Sequence, residues 1–178
     1  MMTQKQYFNR TSIKIALAAI FAALVFVATY FFFISIPATS GYFNLGETII
    51  YVAALLFGAL VGAVSGGIGA MIADILLAAQ FAPGTLAIKG IEGALVGFLY
   101  RKLQNRLPNR SLSAAIAIVI GGLEMVTGYF LYEQLVLGYP LAAALSEVPF
   151  NLVQMAVGLV IAIPIMHAVL RVFPQLKN

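Results

Sequence analysis

The sequence predicts an all-α membrane protein with six transmembrane helices in one compact bundle. Of its 178 residues, 62% are hydrophobic and 9% are charged, and the mean hydropathy is +1.02. Soluble domains carry roughly 25% charged residues. In hydrocarbon, only helices and closed β-barrels pair every backbone hydrogen-bonding group. The long unbroken apolar runs of this sequence favour helices, because barrel strands alternate apolar and polar residues. Because a span takes roughly 20 residues, we expect residues 1–178 to form a single integral membrane domain.

The apolar runs are separated by clusters of Pro, Gly and Ser, which mark loops. They predict helices over approximately 13–36, 45–60, 61–79, 86–103, 112–137 and 148–172. The first helix is expected to end before Pro37, and Pro83 and Gly84 are expected to form the turn before the fourth helix.

Basic residues fall on one side of this arrangement. Nine of the ten lie before the first predicted helix, around the loop between the fourth and fifth, or after the sixth: Lys5, Arg10, Lys14, Arg101, Lys102, Arg106, Arg110, Arg171 and Lys177. The loops on the other side contain no Lys or Arg. The positive-inside rule therefore predicts that both termini are cytoplasmic. Lys89, inside the fourth predicted helix, is the exception.

Acidic residues show the opposite distribution. All six lie within predicted spans or at their outer ends: Glu47, Asp74, Glu92, Glu124, Glu133 and Glu147. An ionisable side chain at the centre of a membrane helix costs about 2.5 kcal/mol or more, so such residues are candidates for function. With Lys89, Asn151 and Gln154, they indicate a polar region in the outward-facing half of the bundle.

Structural roles are the alternative for several of these residues. Lys89 could neutralise Glu92 on its own helical face, or pair with Asp74 across two helices. Tyr129 and Tyr132 would suit an interfacial aromatic belt. A stripe on the last helix could serve as interhelical contact: Glu147, Asn151, Gln154 and Gly158.

Small residues spaced four apart indicate close helix contacts. The third and fourth predicted helices carry such residues, for which we expect packing within the chain: Gly62, Gly66, Ala70, Gly93 and Gly97. The first predicted helix carries a further small-residue surface, where another helix can dock inside or outside the chain: Ala18, Ala22, Ala19 and Ala23.

Several functions are disfavoured. There is no cysteine for a disulfide, a thiol nucleophile or a thiolate metal site, and His167 is the only histidine, so we expect no metal and no cofactor. The sequence has no GxxxxGK[ST] loop for ATP hydrolysis and no GxSxG motif. Basic residues beside helix ends do not require a nucleic-acid partner. We expect a binding protein in a lipid bilayer rather than an enzyme.

Two segments are distinctive. They read YFNLGETIIYVAALLFGALVGAVSGGIGAMIADILL at 42–77 and APGTLAIKGIEGALVGFL at 82–99. Together with the alanines of the first helix, they resemble the S component of an energy-coupling factor (ECF) vitamin transporter, in particular the subgroup assigned to hydroxymethylpyrimidine or pyridoxine. The resemblance covers essentially the whole chain.

This resemblance implies a substrate-binding subunit of an ECF-type ABC importer in the bacterial plasma membrane. It would capture one vitamin at the outer face and join a transmembrane coupling protein and two ATPase subunits, which drive uptake. Ala18 and Ala22 would contact the coupling protein, with Ala19 and Ala23 as the alternative register. The side chains that we predict for the vitamin site are polar or aromatic: Asn44, Glu47, Tyr51, Lys89, Glu92, Tyr132, Asn151 and Gln154.

Three alternatives stay open at the level of the sequence. Similar groups would bind another vitamin, such as riboflavin. A proton- or sodium-coupled secondary transporter would also bury Asp74, Glu92 and Glu124, although inverted repeats are expected there. Paired carboxylates could serve an intramembrane enzyme as acid and base.

Overall fold

Within residues 11–176, the fold consists of six α-helices and one small hairpin. The computed structural model describes residues 11–176. The elements in chain order are α1 (Thr11–Phe31), β1 (Phe33–Ile36), β2 (Gly41–Asn44), α2 (Gly46–Phe57), α3 (Ala59–Leu77), α4 (Ala82–Leu103), α5 (Arg110–Leu135), α6 (Leu141–Val172) and a 3₁₀ turn (Pro174–Leu176). Three basic residues used in the orientation prediction lie outside the described residues: Lys5, Arg10 and Lys177.

Four of the helices, α1, α3, α5 and α6, are long and apolar enough to cross a membrane. α2 has 12 residues, which corresponds to about 18 Å and is shorter than the hydrocarbon core of a bilayer. α4 has 22 residues but carries Lys89 and Glu92 in its middle. Large apolar side chains such as Ile20, Leu24 and Ile75 are exposed on the outside of the bundle, where lipid would cover them.

The first helix is shorter than predicted. It ends at Phe31, and Phe33–Ile36 pairs antiparallel with Gly41–Asn44. The prediction that the helix continues to residue 36 was wrong because it used hydrophobicity alone. The sequence FISI is aromatic and β-branched, which suits a strand. This hairpin, residues 33–44, is the part of the fold that an all-α prediction misses.

Prolines mark two further differences. α4 begins at Ala82 with Pro83 in its first turn, a position where the missing N–H costs no hydrogen bond, so Pro83 and Gly84 start the helix and do not precede it. α6 begins at Leu141, well before the predicted start, and contains both Pro149 and Pro164. Membrane helices tolerate such prolines when neighbouring groups satisfy the freed carbonyls.

Glycines bring α3 and α4 into close contact. A Cβ atom on Gly62 would meet the backbone of Gly93, and a Cβ atom on Gly93 would meet the backbone of Gly62. One turn further along α3, Gly66 lies against the carbonyl of Lys89. The predicted packing of these small residues within the chain is thereby confirmed, and it fixes the position of Lys89 relative to α3.

The apolar core lies at the end of the bundle away from the hairpin. Its buried side chains come from α2, α4, α5 and α6: Leu55, Leu56, Val96, Tyr100, Ile118, Met166 and Leu170. Buried polar side chains gather instead in the hairpin half. The fold thus separates a packed apolar end from a polar end.

Candidate binding site beneath the hairpin

A cavity lies beneath the hairpin, among α1, α3, α4, α5 and α6. Its empty volume of about 410 Å³ includes space that is open to solvent. The residues that line it are Thr29, Gly41, Tyr42, Asn44, Ala70, Asp74, Phe81, Thr85, Lys89, Tyr129, Glu147, Asn151 and Gln154.

Lys89 is the centre of a buried charge cluster. Its Nζ atom forms ion pairs with Glu47 of α2 and with Glu92, the latter at 3.1 Å. The Tyr51 hydroxyl donates a hydrogen bond of 3.0 Å to Glu92 Oε1. All four residues are at most 3% exposed. A lysine buried so deeply requires such partners, and of the two partners considered from the sequence, Glu92 pairs with it and Asp74 does not.

Asn44, the last residue of the hairpin, connects it to two helices. Its N–H and its Nδ2 donate to Gln154 Oε1 of α6 at 2.7 and 3.2 Å. Its Oδ1 accepts from the N–H of Gly46 at 2.9 Å, at the start of α2. Gln154 Nε2 in turn donates to Glu47 at 3.3 Å. The hairpin is therefore joined through Asn44 and Gln154 to the charge cluster.

Two carboxylates of the cavity wall hold the rest of the hairpin. The Tyr42 hydroxyl donates to Asp74 of α3, and the Thr39 hydroxyl donates to Glu147 of α6. The Tyr139 hydroxyl also donates to the Thr39 carbonyl at 2.9 Å. Burial, and next the charge of Asp74, raise the pKa of Tyr42 above its ordinary value, so its hydroxyl keeps its proton and remains a donor. These contacts keep the hairpin closed over the cavity.

Aromatic side chains form another part of the wall. Phe81 and Tyr129 pack edge to face with ring centroids 6.4 Å apart. The Tyr129 hydroxyl lies 2.8 Å from the hydroxyl of Thr85, and Lys89 Nζ lies 5.7 Å from the Tyr129 ring centroid. The cavity thus combines carboxylates and amides with ring faces, the combination that suits a polar heterocycle.

The eight predicted site residues divide into three groups. Four line the cavity: Asn44, Lys89, Asn151 and Gln154. Three lie behind it and hold Lys89: Glu47, Tyr51 and Glu92. Tyr132 is separate from both groups, because its ring packs near Gly84 and its hydroxyl donates to the Gln80 carbonyl at 2.9 Å.

Other lining residues were absent from the predicted site. Asp74, Glu147 and Tyr129 were noted as polar or aromatic but were not assigned to it, and four more polar or aromatic side chains were missed: Thr29, Tyr42, Phe81 and Thr85. Two of these had a signal in the sequence. Thr85 is one helical turn before Lys89, and Tyr42 is the first residue of the distinctive segment at 42–77. The polar stripe of α6 both lines the cavity and bonds other elements, so the two interpretations of it do not exclude each other.

The four alanines of α1 form a buried pair and an exposed pair. Ala18 and Ala22 are 3% and 9% exposed, and they pack against α3, where Ala18 meets Val61 and the Ala22 carbonyl lies close to Gly69. Ala19 and Ala23 are exposed. An apolar groove runs along this junction, lined by Lys14, Ile15, Ala18, Ala19, Ala22, Leu60, Val64 and Ile68.

Apart from Lys89, basic residues of the described chain such as Arg101, Arg110 and Arg171 occupy the end opposite the hairpin. Arg101 Nη2 donates to the Phe57 carbonyl at 3.0 Å, between α2 and α3. Arg110, Arg171 and His167 line a cleft at the same end. His167 Nε2 lies 2.8 Å from the Ser111 hydroxyl, and residues 11–176 contain no group of three or more side chains suited to hold a metal ion.

Comparison with known proteins gives a consistent picture. Residues 9–171 match the family model described as ECF-type riboflavin transporter, S component. The chain is 32% identical over 156 residues to the thiamine precursor transporter HmpT of Lactococcus lactis subsp. cremoris (strain MG1363), covering 86% of each protein. It is 37% identical over 137 residues to an uncharacterized protein in a gap 3' region of Pyrococcus woesei, covering 77% of this chain and 88% of that one.

The fold has also been solved in a related protein. A structure described as "Structure and mechanism of the S component of a bacterial ECF transporter" aligns with a TM-score of 0.68 at 16% identity, covering 95% of this chain and 100% of that one. At this identity the likeness concerns the fold. Because the family model spans most of the sequence, the chain belongs to the S components of ECF-type vitamin transporters, multi-pass membrane subunits that bind substrate and are not enzymes.

Proposed function

We propose that this chain captures a vitamin precursor of the hydroxymethylpyrimidine type, or the similar pyridoxine, at the outer face of the membrane and passes it to an ECF module for ATP-driven uptake. The observation that carries this proposal is the hairpin-covered cavity, in which amide, carboxylate and ammonium groups surround a space with aromatic walls. A single polar ring with a hydroxymethyl group would use these groups as hydrogen-bond partners. The HmpT relative supports the pyrimidine assignment.

Riboflavin is the second candidate, because the family model is described by that vitamin. Its three-ring system and ribityl chain need more room than a single ring. With the hairpin bonded to α3 and α6 through Tyr42 and Thr39, the closed cavity favours the smaller ligand.

The predicted site residues take two roles in this proposal. Asn44, Lys89, Asn151 and Gln154 contact the ligand from the cavity wall. Glu47, Tyr51 and Glu92 act through Lys89, whose position they fix. Tyr132 supports the start of α4 by its packing on Gly84.

The proposed partners are one transmembrane coupling protein and two ATPase subunits. The coupling protein would dock on the groove between α1 and α3, where Ala19 is exposed and apolar side chains such as Leu60 and Ile68 reach the surface. Small residues let helix backbones approach closely in a membrane. Of the two alanine registers, exposure favours Ala19 and Ala23 as direct contacts, whereas Ala18 and Ala22 hold α1 against α3.

We further propose six spans in a single membrane domain, with both termini in the cytoplasm of a bacterial cell. Apart from Lys89, described basic residues lie at the end opposite the hairpin, with Arg101 and Arg110 close to the connections there. The positive-inside rule assigns that end to the cytoplasm. The cavity beneath the hairpin would then open to the outside.

The test is to identify the small molecule that co-purifies with the protein. The protein is purified in detergent from cells, the bound ligand is extracted and identified by mass spectrometry, and its affinity is measured by titration calorimetry. We expect a hydroxymethylpyrimidine or pyridoxine, bound at one molecule per chain. Recovery of riboflavin would establish the second candidate, and protein that neither retains nor binds any vitamin would contradict the proposal.

The Asn151→Ala variant ties that ligand to the cavity. Its amide lines the cavity and forms no hydrogen bond with other described residues, so its removal should leave the fold intact and weaken ligand binding by about 1–3 kcal/mol. The matched control is Asn105→Ala, an exposed position at the other end of the bundle.

Transport distinguishes this function from ion-coupled uptake. Cells that express the chain together with an ECF module should accumulate labelled vitamin, and an ATPase-deficient module should abolish accumulation. Uptake that needs only the chain and a membrane potential would instead favour a secondary transporter that uses Asp74, Glu92 or Glu124.

A further inference from the structure

The buried half of the protein around the cavity carries far more acidic than basic side chains. Five buried carboxyl groups belong to the described residues: Glu47, Asp74, Glu92, Glu133 and Glu147. The only buried basic side chain among residues 11–176 is Lys89. An excess of buried negative charge is costly unless protons or a bound cation compensate it.

Lys89 does not supply that compensation for the cavity. Its ammonium already forms ion pairs with Glu47 and Glu92, which lie behind the cavity wall. The two carboxylates carry more negative charge than the single ammonium carries positive charge. No other lysine or arginine is found among the described residues that line the cavity. A phosphate or carboxylate ligand would therefore meet like charges, and this site should reject anionic compounds.

Asp74 and Glu147 remain as acceptors on the cavity wall. Asp74 accepts a hydrogen bond from Tyr42 at Oδ1 and also has the Thr85 hydroxyl as a neighbour, and Glu147 accepts one from Thr39 at Oε1 and has the Glu133 carboxyl as a neighbour. An ionised carboxylate has about four acceptor positions, so these contacts do not use the full capacity of either side chain. Each side chain therefore presents a hydrogen-bond acceptor to the cavity. A neutral ligand that carries mainly acceptors would leave these carboxylates without a hydrogen-bond donor.

The chemistry that fits is a flat cation with two adjacent N–H donors. A protonated aminopyrimidine is an amidinium: its ring N–H and its exocyclic amino group point the same way, and a carboxylate accepts both, as it does from arginine. The rings of Phe81 and Tyr129 would lie against such a cation favourably. An oxo-substituted ring of the same size offers an acceptor where the amino group was a donor.

We propose that the cavity takes a basic amino-heterocycle of the amidine class in its protonated form, and that the Asp74 carboxylate is the group that recognises it. This inference rests on the proposed function, since it specifies the ligand of the same cavity. Asp74 is the residue chosen because it lies on α3, which the glycine contacts hold against α4 and Lys89, whereas Glu147 lies near the start of α6.

The test compares two ligands that differ in one group. Titration calorimetry in detergent measures the affinity of 4-amino-5-hydroxymethyl-2-methylpyrimidine and of its 4-oxo analogue. We expect the amino compound to bind wild-type protein about 100-fold more tightly, because the analogue leaves buried acceptors unpaired. Equal affinity for the two compounds would overturn the inference, and this comparison needs no variant.

Variants then assign the selectivity to Asp74. Asp74→Asn should lose about 100-fold in affinity for the amino compound and most of the discrimination, because the charge pair is gone. Tyr42→Phe keeps the carboxylate and should keep the discrimination. Glu124→Gln makes the same carboxyl-to-amide change outside the cavity and should bind as wild type does. Full discrimination in a folded Asp74→Asn protein would overturn the role of Asp74.

The outcomes also separate this inference from the proposed function. If a vitamin without a basic amino group co-purifies and binds, vitamin capture stands and the amidine inference is overturned. If no vitamin of any class binds, both are overturned.

Discussion

Lys89 carries a buried positive charge that neighbouring carboxylates compensate. It forms ion pairs with Glu47 and Glu92, and all three side chains are almost fully buried. Removing one partner from such a group leaves an uncompensated charge in a medium of low polarity. The resulting loss of folding free energy exceeds the stabilisation that the intact group provides. The cluster therefore acts as a unit, and it connects the start of α2 to the middle of α4.

Lys89→Met should therefore destabilise the protein strongly. We expect a loss of about 3–5 kcal/mol, because Glu47 and Glu92 would face each other without a cation. Thermal unfolding in detergent would show this as a lower midpoint. Lys102→Met, the same change at an exposed position of α4, should alter stability by less than about 0.5 kcal/mol. Equal midpoints for the two variants would contradict the ion-pair interpretation.

At the scale of elements, the hairpin is held to the bundle by side-chain contacts. Thr39 donates to Glu147, and Asn44 donates to Gln154. Both acceptors lie on α6, so opening the cavity requires these bonds to break. We expect these bonds to slow the release of a bound ligand.

Thr39→Val should speed ligand release. It keeps the side-chain volume but removes the donor to Glu147 and the acceptor of the Gly41 N–H, and losing the bond to α6 alone corresponds to about a tenfold faster dissociation rate. Rapid filtration with radiolabelled ligand measures that rate. Ser35→Val, at an exposed position of β1, is the control. Unchanged release from Thr39→Val would show that this bond does not hold the hairpin closed.

Helix α1 permits a separate test of partner docking. Ala19→Leu enlarges an exposed residue of the groove and should weaken pull-down of the coupling protein without lowering the unfolding midpoint. Ala22→Leu places the same side chain against the backbone near Gly69 and should lower the midpoint itself. Ala87→Leu, exposed on α4, is the control. Normal assembly of Ala19→Leu would exclude this register.

Sequence patterns predict some of these elements better than others. Hydropathy locates the six helices, and the four-residue spacing of small residues such as Gly62 and Gly66 predicts close packing within the chain, because both signals are local. The hairpin was missed because its apolar strand reads as more helix. The site was predicted in part: intramembrane polarity marks Lys89 and Asn151, but the approach of Thr39 to Glu147 depends on a loop path across 108 residues, which no local pattern encodes.

For the whole molecule, the separation of charges implies a direction in the membrane. Described basic residues such as Arg101, Arg110 and Arg171 lie at one end, whereas the hairpin and the buried carboxylates Asp74 and Glu147 lie toward the other. Lys and Arg are retained on the cytoplasmic side. The proposed importer would need its site to face the outside, which is the orientation that the positive-inside rule predicts for this charge distribution.

Single cysteines can test that orientation cleanly, because the chain contains no cysteine of its own. Ala38→Cys lies in the exposed turn of the hairpin, and Asn105→Cys lies in the exposed connection between α4 and α5. A membrane-impermeant maleimide added to intact cells should label Ala38→Cys and should label Asn105→Cys only after permeabilisation. The reverse pattern would place the cavity on the cytoplasmic side, and vitamin capture from outside would then require a different site.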